Sequence, residues 1–306
     1  MPVRVLLTGA SGQVGGDLLP MLEPFSSVIA PGRSELDLGD PGEIQRFVIE
    51  TRPDWIINPA AYTAVDKAES EPELAYAINA DAPRALGEAA AQLRIPVIHF
   101  STDYVYSGAG STPWVEDDAP GPLGVYGSSK LAGDQALAAS GAAHIILRTS
   151  WVYGTAGKNF LRTILRLAQE KDELRIVDDQ HGSPTWSRDL ARTVVHIIRA
   201  ISAGGAARTK PIHEIVQEVR GVYHVAGAGD TTWFGFAREF LRTAAEVRPQ
   251  SRLAHLTPIA TRDYPTPAQR PLNSRLNCSR IRDIFGVAMP RWEESAATVT
   301  REVLSH

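Results

Sequence analysis

The sequence predicts an α/β protein with a Rossmann-like, doubly wound parallel sheet and a smaller C-terminal substrate-binding lobe. Three observations support this. Short apolar runs alternate with helical patterns in the first half, a glycine-rich turn follows the first run, and the alternation loosens beyond residue 155. Continuous apolar strands separated by helices are typical of a parallel sheet covered on both faces. Ligands of such sheets bind at the carboxyl ends of the strands.

The individual elements follow from apolar runs, helix-start signals and turn residues. Asp40 is an N-cap followed by a proline at the first helical position, which predicts a helix start there. The predicted strands are 3–7, 28–30, 54–58, 96–100, 143–148, 174–177 and 222–225. The predicted helices are 13–23, 41–50, 73–93, 128–139, 159–171, 189–203, 232–246 and 293–306. Residues 204–220 are interpreted as a surface insertion.

Composition excludes several classes of protein. The 306 residues are 43% hydrophobic and 22% charged, as in ordinary globular proteins. A net charge of −4 disfavours a nucleic-acid binder, which usually carries a basic excess. The single cysteine, Cys278, cannot form an internal disulfide, and no apolar run approaches the roughly 18 residues needed to span a bilayer. We therefore expect a cytoplasmic protein that binds neither nucleic acid nor a membrane.

The turn between the first strand and the first helix carries glycines at positions 9, 12 and 15. Their spacing, G-x-x-G-x-x-G, differs from the G-x-G-x-x-G dinucleotide fingerprint, but the same physics applies. Glycines permit a tight turn and let a pyrophosphate approach the free amides at the helix N-terminus. A purely structural role for these glycines is the alternative. Gly9, Gly12 and Gly15 are therefore predicted to let a dinucleotide approach this turn.

The end of the second strand distinguishes between the two nicotinamide cofactors. A ribose-binding acid is expected there for NAD, but the segment contains Arg33 and Ser34 instead. A guanidinium is well shaped to bind a 2′-phosphate. The sequence therefore favours NADPH over NADH, although Arg33 as a solvated loop charge stays open.

The next three strand ends carry small or polar residues. Small residues after the third strand, from Asn58 to Thr63, leave room for a cofactor. After the fourth strand, Thr102 is placed to donate a hydrogen bond to a reacting carbonyl oxygen, and Asp103 to accept one from a sugar hydroxyl. After the fifth, Trp151 either packs against a sugar face or belongs to the core.

Tyr126 and Lys130 lie four residues apart, a spacing that places two side chains on one face of a helix. A free tyrosine keeps its proton up to a pH of roughly 10. A nearby lysine cation favours the phenolate, so the pair has the composition of a general acid with a group that lowers its pKa. The pattern by itself is also compatible with a surface packing pair.

Taken together, these motifs resemble the extended short-chain dehydrogenase/reductases. The shared pattern is T-G-x-x-G-x-x-G, a serine or threonine after the fourth strand, and Y-x-x-x-K. Longer segments resemble the dTDP-4-dehydrorhamnose reductase family over nearly the whole chain. These segments are 64–69, 101–106, 126–133, 148–153 and 270–276.

The resemblance implies NAD(P)H-dependent reduction of the C4 keto group of dTDP-4-dehydro-6-deoxy-L-mannose to give dTDP-L-rhamnose. The implied catalytic residues are Thr102, Tyr126 and Lys130. The resemblance implies cofactor contacts within the glycine turn at Ser11, Gly12, Gln13 and Val14. The implied contacts beyond the turn are Asp37, Leu38, Ala60, Ala61, Thr63, Phe100, Tyr126 and Lys130. The substrate contacts are Thr102, Asp103, Tyr104 and Trp151, with Arg270 predicted to pair with the diphosphate.

On this basis we expect residues 1–155, with returning segments near 186–228, to form the NAD(P)-binding domain. Residues 156–185 and 229–306 would form the sugar-nucleotide lobe. Some family members bind Mg²⁺ through carboxylates at a dimer contact. Asp17 fits one of these acids, but Arg188 stands where another is expected and would repel a metal. We therefore expect no metal, and a monomer or weak homodimer.

Two alternatives to this function remain open at the level of sequence. One is a reductase that forms the C4 epimer, a dTDP-6-deoxy-L-talose, because the hydride-accepting face of the carbonyl depends on sugar orientation. The other is the regulatory subunit of methionine adenosyltransferase, a non-catalytic binding protein with the same fold. The complete set of Thr102, Tyr126 and Lys130 favours catalysis.

Overall fold

The computed structural model describes residues 3–202 and 210–305. Its strands, in chain order, are β1 (Val3–Leu7), β2 (Ser26–Ile29), β3 (Trp55–Asn58), β4 (Val97–Thr102), β5 (His144–Thr149), β6 (Val152–Tyr153), β7 (Glu173–Val177), β8 (His181–Gly182), β9 (Thr185–Trp186), β10 (Gly221–His224), β11 (Thr231–Thr232), β12 (His255–Ile259) and β13 (Asn273–Ser274).

The helices alternate with the strands in the first half of the chain. They are α1 (Gln13–Leu22), α2 (Pro41–Thr51), α3 (Val65–Ala68), α4 (Pro72–Tyr76), α5 (Ala82–Leu93), α6 (Val125–Ala139), α7 (Phe160–Glu170), α8 (Ser187–Ser202), α9 (Ile212–Glu218), α10 (Trp233–Val247), α11 (Ser279–Phe285) and α12 (Trp292–Leu304). A π-helical turn, Ala77–Asp81, joins α4 to α5, and a 3₁₀ turn, Asp103–Val105, follows β4.

Six strands form the main sheet in the order β10-β5-β4-β3-β1-β2, and every neighbouring pair is parallel. The doubly wound sheet predicted from the apolar runs is confirmed. The chain leaves β1 toward β2 on one side and returns to β3 on the other. The strand order therefore reverses between β1 and β3, which is where such folds bind their ligands.

Apolar side chains cover both faces of this sheet. On one face, α1, α8 and α11 pack with β1, β3 and β5 around residues such as Leu18, Val194 and Ile281. On the other, α2, α5 and α6 pack around Ile44 and Leu86. A further core lies outside the sheet, where α7, α10 and α12 contribute the second half of the chain.

The predicted helix 73–93 is interrupted in the structure. Pro83 has no N–H to donate to the carbonyl of Asn79, so the regular hydrogen-bond ladder cannot pass through this point. The π-turn Ala77–Asp81 occupies the interruption. The backbone carbonyl of Asn79 there lies so close to Gly133 that a Cβ on the glycine would be 2.0 Å from it. Only a glycine lets α6 pack at this distance.

Helix α6 begins at Val125, three residues before the predicted start at 128. The reason is a distant cap, because the backbone N–H of Val125 donates to Glu69 Oε1 at 2.8 Å. This interaction could not be predicted from local sequence, and it places Tyr126 within the first turn of the helix. In the predicted insertion, residues 203–209 lie outside the described part of the chain, and α9 follows from Ile212.

Candidate active site

The glycine turn is tight and lies against the end of β3. Gly9 has a φ of +60°, a conformation that favours glycine. A Cβ at Gly15 would lie 2.2 Å from the carbonyl oxygen of Gly9, and a Cβ at Gly9 would lie 2.9 Å from Ala60 Cα. Within the described residues, no side chain caps α1 at Gly12, and the first turn of α1 contains no acid. Its amides therefore suit an anionic group such as a pyrophosphate.

Other predicted cofactor contacts surround this turn with varied exposure. Gln13 accepts a hydrogen bond from Asn159 Nδ2 at 3.0 Å, which links α1 to the start of α7. Asp37 accepts from the backbone N–H of Gly39 at 2.8 Å, so its carboxylate shapes its own loop. Leu38 packs on the core face that contains α2. Arg33, Ser11 and Thr63 are exposed, whereas Val14, Ala60 and Ala61 are half-buried.

Helix α6 meets the end of β4 through a glycine. A Cβ at Gly127 would lie 2.2 Å from the carbonyl oxygen of Tyr104, so only a glycine permits this contact. The rings of Tyr104 and Tyr126 meet edge to face, with centroids 5.5 Å apart. Thr102 donates to Asp103 Oδ1 at 3.0 Å and accepts from the Tyr104 amide at 3.2 Å. The structure thus brings Thr102 and Tyr126 together.

Burial raises the pKa of Tyr126 above its ordinary value, and the carboxylates of Asp103 and Asp134 raise it further. A side-chain hydrogen bond with Thr102 acts in the opposite direction but does not outweigh burial. This direction is opposite to the lowering expected from a nearby Lys130. Tyr126 therefore holds its proton in the unliganded protein, as a proton donor must.

Lys130 is buried beneath the edge of the sheet, with 1% of its surface exposed. Its Nζ donates to the carbonyl oxygen of Phe100 at 2.7 Å and lies 3.2 Å from His99 Nε2. Burial lowers the pKa of Lys130 to about 8, and the Asp134 carboxylate one turn along the helix acts in the opposite direction. The amine is therefore held by the backbone of β4.

Asp103 is almost fully buried, with 2% of its surface exposed. Burial raises the pKa of this carboxyl to about 6, while the nearby Ser274 hydroxyl and the hydrogen bond from Thr102 act against the shift. Its Oδ2 has no hydrogen-bond partner among residues 3–202 and 210–305. A buried carboxylate oxygen without a donor is a natural acceptor for a ligand hydroxyl.

Trp151 has a strained backbone, with a φ of +47° that non-glycine residues rarely adopt. Its indole stacks on Trp233, with ring centroids 3.7 Å apart and planes inclined by 10°. A Cβ at Gly182 would lie 2.5 Å from the Trp151 ring, so a glycine is needed beside it. The ring is therefore fixed in orientation by its surroundings.

The predicted diphosphate ligand, Arg270, is engaged with Asp66. Its Nη2 lies 2.7 Å from Asp66 Oδ2, and its Nη1 donates to the carbonyl oxygen of Ala268 at 2.9 Å. Partial burial acts to raise the pKa of Asp66, but the hydrogen bonds from Arg270 and Ala268 hold it below its ordinary value. A guanidinium has five N–H donors, so others remain for a ligand.

Arg188 lies between two carboxylates from different helices. Its Nη1 donates to Glu302 Oε1 at 2.8 Å, its Nε is 3.7 Å from Asp17 Oδ1, and its guanidinium covers the Trp186 ring at 4.5 Å. A protein cation thus occupies the position between Asp17 and Glu302. The absence of a metal there remains a prediction.

Several residues near the site were not identified from the sequence. His99 and Asn58 contact Lys130 directly or through one another, and Asp134 accepts from Arg148 and Ser101. His99 carried a usable signal, since it is a polar residue inside an otherwise apolar strand. Trp233 had none, because only the fold brings α10 against Trp151.

The strand order, the glycine turn at its reversal and the Thr102–Tyr126–Lys130 group at the end of β4 define the class. They are the arrangement of a short-chain dehydrogenase/reductase with a Rossmann-like nucleotide site. No helix within residues 3–202 and 210–305 is both long enough and apolar enough to cross a membrane.

Comparison with known proteins identifies the family. The family model described as RmlD substrate binding domain matches residues 3–305. The dTDP-4-dehydrorhamnose reductase of Escherichia coli K12 is 42% identical over 99% of this chain and 99% of its own length. The enzyme of the same name from Sinorhizobium fredii is 42% identical over 96% of this chain and 95% of its own.

Solved structures agree. A dTDP-4-dehydrorhamnose reductase from Clostridium acetobutylicum superposes with a TM-score of 0.88 at 33% identity, covering 99% of this chain and 100% of that one. The Bacillus anthracis enzyme of that name, in complex with NADP, gives a TM-score of 0.87 at 34% identity, with the same coverage. The chain belongs to the RmlD substrate binding domain family, and the resemblance inferred from the sequence is confirmed.

Proposed function

We infer that the chain is an oxidoreductase that uses NADPH to reduce the C4 keto group of dTDP-4-dehydro-6-deoxy-L-mannose, giving dTDP-L-rhamnose. The observation that carries this inference is the grouping of Thr102 and Tyr126 at the end of β4, with Lys130 beneath them on α6, in a chain of this family. Names of the relatives and the NADP complex of the Bacillus anthracis enzyme support it.

NADPH, when bound, would supply the hydride that adds to C4 in this reaction. Tyr126 donates its proton to the C4 oxygen, which becomes a hydroxyl. The hydroxyl of Thr102, which donates to Asp103 Oδ1 in the structure, turns to donate to the same oxygen and stabilises the negative charge that develops there. Tyr126 is suited to this step because burial keeps the phenol protonated until the oxygen can accept the proton.

Lys130 stabilises the phenolate left on Tyr126 and holds the nicotinamide ribose. An ammonium has three N–H donors, one of which binds the carbonyl of Phe100 and another of which faces His99. One donor is left for a ribose hydroxyl. The carbonyl contact fixes the amine at the strand end, where the cofactor would pass.

We further propose a division of labour between the two parts of the chain. Residues 1–155 and the segments near 186–228 bind the cofactor, and residues 156–185 and 229–306 complete the sugar-nucleotide site. Trp151, Tyr104 and the unpartnered Oδ2 of Asp103 would contact the sugar, and Arg270 the diphosphate. The cofactor contacts proposed are those predicted from the sequence, from Gly9 to Lys130.

The test is to follow NADPH oxidation with dTDP-4-dehydro-L-rhamnose and to identify the product sugar by NMR. dTDP-L-rhamnose supports the proposal, whereas the 6-deoxytalose nucleotide would assign the C4-epimer reaction instead. A lack of ketosugar-dependent oxidation, together with a stoichiometric synthetase in a pull-down, would favour the binding-subunit reading. Repeating the assay with NADH tests the preference for NADPH expected from Arg33.

Assembly and location complete the proposal. The expected monomer or weak homodimer is tested by light scattering after size-exclusion chromatography over a range of protein concentrations. A cytoplasmic location, expected from the single cysteine and the acidic composition, remains a prediction.

A further inference from the structure

A buried line of polar side chains runs from the glycine turn to the active-site lysine. Thr8 Oγ1 donates to Asn58 Oδ1 at 2.5 Å, Asn58 Nδ2 lies 3.0 Å from His99 Nδ1, and His99 Nε2 lies 3.2 Å from Lys130 Nζ. All four residues are at least 98% buried. Thr8 lies just after β1, Asn58 at the end of β3, His99 on β4 and Lys130 on α6. The proposed reaction mechanism uses only Lys130.

Burial and the neighbouring Lys130 lower the pKa of His99 well below its ordinary value, and His144 on β5 acts in the same direction. The imidazole is therefore neutral and offers one N–H donor and one acceptor nitrogen. With the amide of Asn58 donating to Nδ1, the proton of His99 must be on Nε2. An Nε2–H facing Lys130 requires an amine with a free lone pair, which is an uncharged lysine.

A protonated Lys130 demands the opposite arrangement. Its ammonium has only donors, so Nε2 must accept and the imidazole proton must move to Nδ1. Asn58 must then turn its Oδ1 toward His99, and its amide N–H toward Thr8. The hydroxyl of Thr8 donates to Asn58 Oδ1 in the structure and would lose that acceptor. Thr8 therefore favours the arrangement with an uncharged lysine.

We propose that His99 is a positioning residue for Lys130, and that its tautomer, set by Asn58 and Thr8, changes together with the charge of the lysine. The link between tautomer and lysine charge does not depend on the proposed function. Only its consequence for catalysis rests on that function, because Lys130 must be a cation while Tyr126 is a phenolate. Three other titratable groups face this line: Asp134, His144 and Tyr126. Asp134 is paired with Arg148, and Tyr126 lies one turn before Lys130 on α6. None of these donates to His99 Nδ1.

The test is ¹⁵N NMR of the full-length protein labelled at histidine, without substrate or cofactor. The chain has eight histidines, and the His99 signals are assigned by their loss in His99→Gln. The protonated nitrogen should be Nδ1 at low pH and Nε2 at high pH, with a midpoint near the pKa of about 8 that burial gives Lys130. A single tautomer throughout this pH range would overturn the proposal.

Variants of Asn58 and Thr8 distinguish the effect of these hydrogen bonds from general effects of burial. Asn58→Asp supplies only acceptors, so it should hold the proton on Nδ1 and raise the midpoint by roughly one pH unit or more. If that variant does not fold, Thr8→Val removes the hydroxyl donor and should also raise the midpoint, whereas Thr8→Ser keeps it and should not. Equal midpoints in Thr8→Val and Thr8→Ser would contradict the proposal. Since no ketosugar is present, failure here is distinct from failure of the proposed reaction.

Discussion

The indole of Trp151 lies flat against that of Trp233, with the ring centroids 3.7 Å apart. Trp151 follows β5 with a strained backbone, and Trp233 opens α10 after an N-cap by Thr232. Two parts of the chain that are distant in sequence therefore fix the orientation of one proposed sugar contact. Trp233 also donates to Gln180 Oε1 at 3.2 Å, which holds its own ring.

Replacing Trp233 by leucine should weaken binding of the ketosugar nucleotide. Aromatic stacking contributes about 0.5–1.5 kcal/mol beyond buried area, so the KM for the sugar nucleotide should rise roughly 2- to 10-fold. The KM for NADPH should not change, and steady-state kinetics with each substrate varied in turn measures both. Trp233→Phe keeps a stacking ring and is the matched control. An unchanged sugar KM in Trp233→Leu would show that the stack does not support binding.

Tyr126→Phe should remove the proton donor while leaving the ring in place against Tyr104. General acid catalysis typically contributes ~10²–10⁴ in rate, so kcat should fall by about that factor. The dissociation constant for NADPH, measured by its fluorescence, should change little. Near-normal turnover in Tyr126→Phe would refute the assignment. A parallel loss of NADPH binding would instead indicate a structural role for the hydroxyl.

Asp103 should make the fold less stable above pH 6 than below it. Burial raises its pKa from an ordinary value of 3.8 to about 6. Between these two pH values the carboxyl is protonated in the folded protein but ionised in the unfolded chain, and this difference stabilises the fold. Above both values the ionised carboxylate costs at most about 3 kcal/mol, and this cost falls progressively as the pH drops from 6 to 3.8.

Asp103→Asn should therefore raise the free energy of unfolding at pH 7.5 by about 1–2 kcal/mol, with little gain near pH 4. The same change should weaken binding of the ketosugar, because the amide has only one oxygen to accept from a hydroxyl. Denaturant unfolding at both pH values and the KM for the sugar nucleotide test the two effects. Asp263→Asn, at an exposed position, is the control. A destabilised Asp103→Asn at pH 7.5 would contradict this account.

The fold was largely predictable because its signals are local. Apolar runs such as Val97–Phe100 and the capped start at Asp40 are confirmed as a strand of the parallel sheet and a helix. The start of α6 was misplaced because its cap, Glu69, is distant in sequence. The break in the helix before Pro83 is predictable only from the missing N–H of this proline, which lies within an alanine-rich stretch.

The site was predictable where a motif carried it and not where packing created it. Tyr126 and Lys130 share a helix face, so their spacing was informative. The pKa direction of Tyr126 was not, because it depends on burial that only the assembled fold provides. The same applies to Asp66, whose pairing with Arg270 joins positions 204 residues apart.

The ion pair between Arg270 and Asp66 allows two roles of Arg270, binding of the diphosphate and support of the fold, to be tested separately. If its free N–H groups bind the diphosphate, Arg270→Lys keeps the charge but loses the fork, and affinity for dTDP should fall about tenfold. Asp66→Asn should change dTDP affinity by less than about threefold, because it leaves the guanidinium in place. Calorimetric titration with dTDP measures both. If the two variants lose thermal stability equally and bind dTDP normally, Arg270 is structural.

Arg188 should make the protein indifferent to divalent cations. Its guanidinium lies between Asp17 and Glu302, so the cluster already contains its cation, and Mg²⁺ would meet a like charge. A chelator should leave kcat unchanged, and the melting temperature should be the same with Mg²⁺ or chelator. Loss of activity on chelation that Mg²⁺ restores would contradict this.

Arg188→Glu provides the sharper comparison, because it places three carboxylates from α1, α8 and α12 together. Their mutual repulsion should lower the melting temperature in chelator, and Mg²⁺, which prefers carboxylate oxygens, should restore part of the loss. Arg192 lies on the same helix and pairs with Asp189 rather than with Asp17 or Glu302. The control variant Arg192→Glu should therefore show no recovery of its melting temperature with Mg²⁺. Recovery in both variants would indicate a general ionic effect, whereas recovery in Arg188→Glu alone would show that the arginine takes the place of a cation.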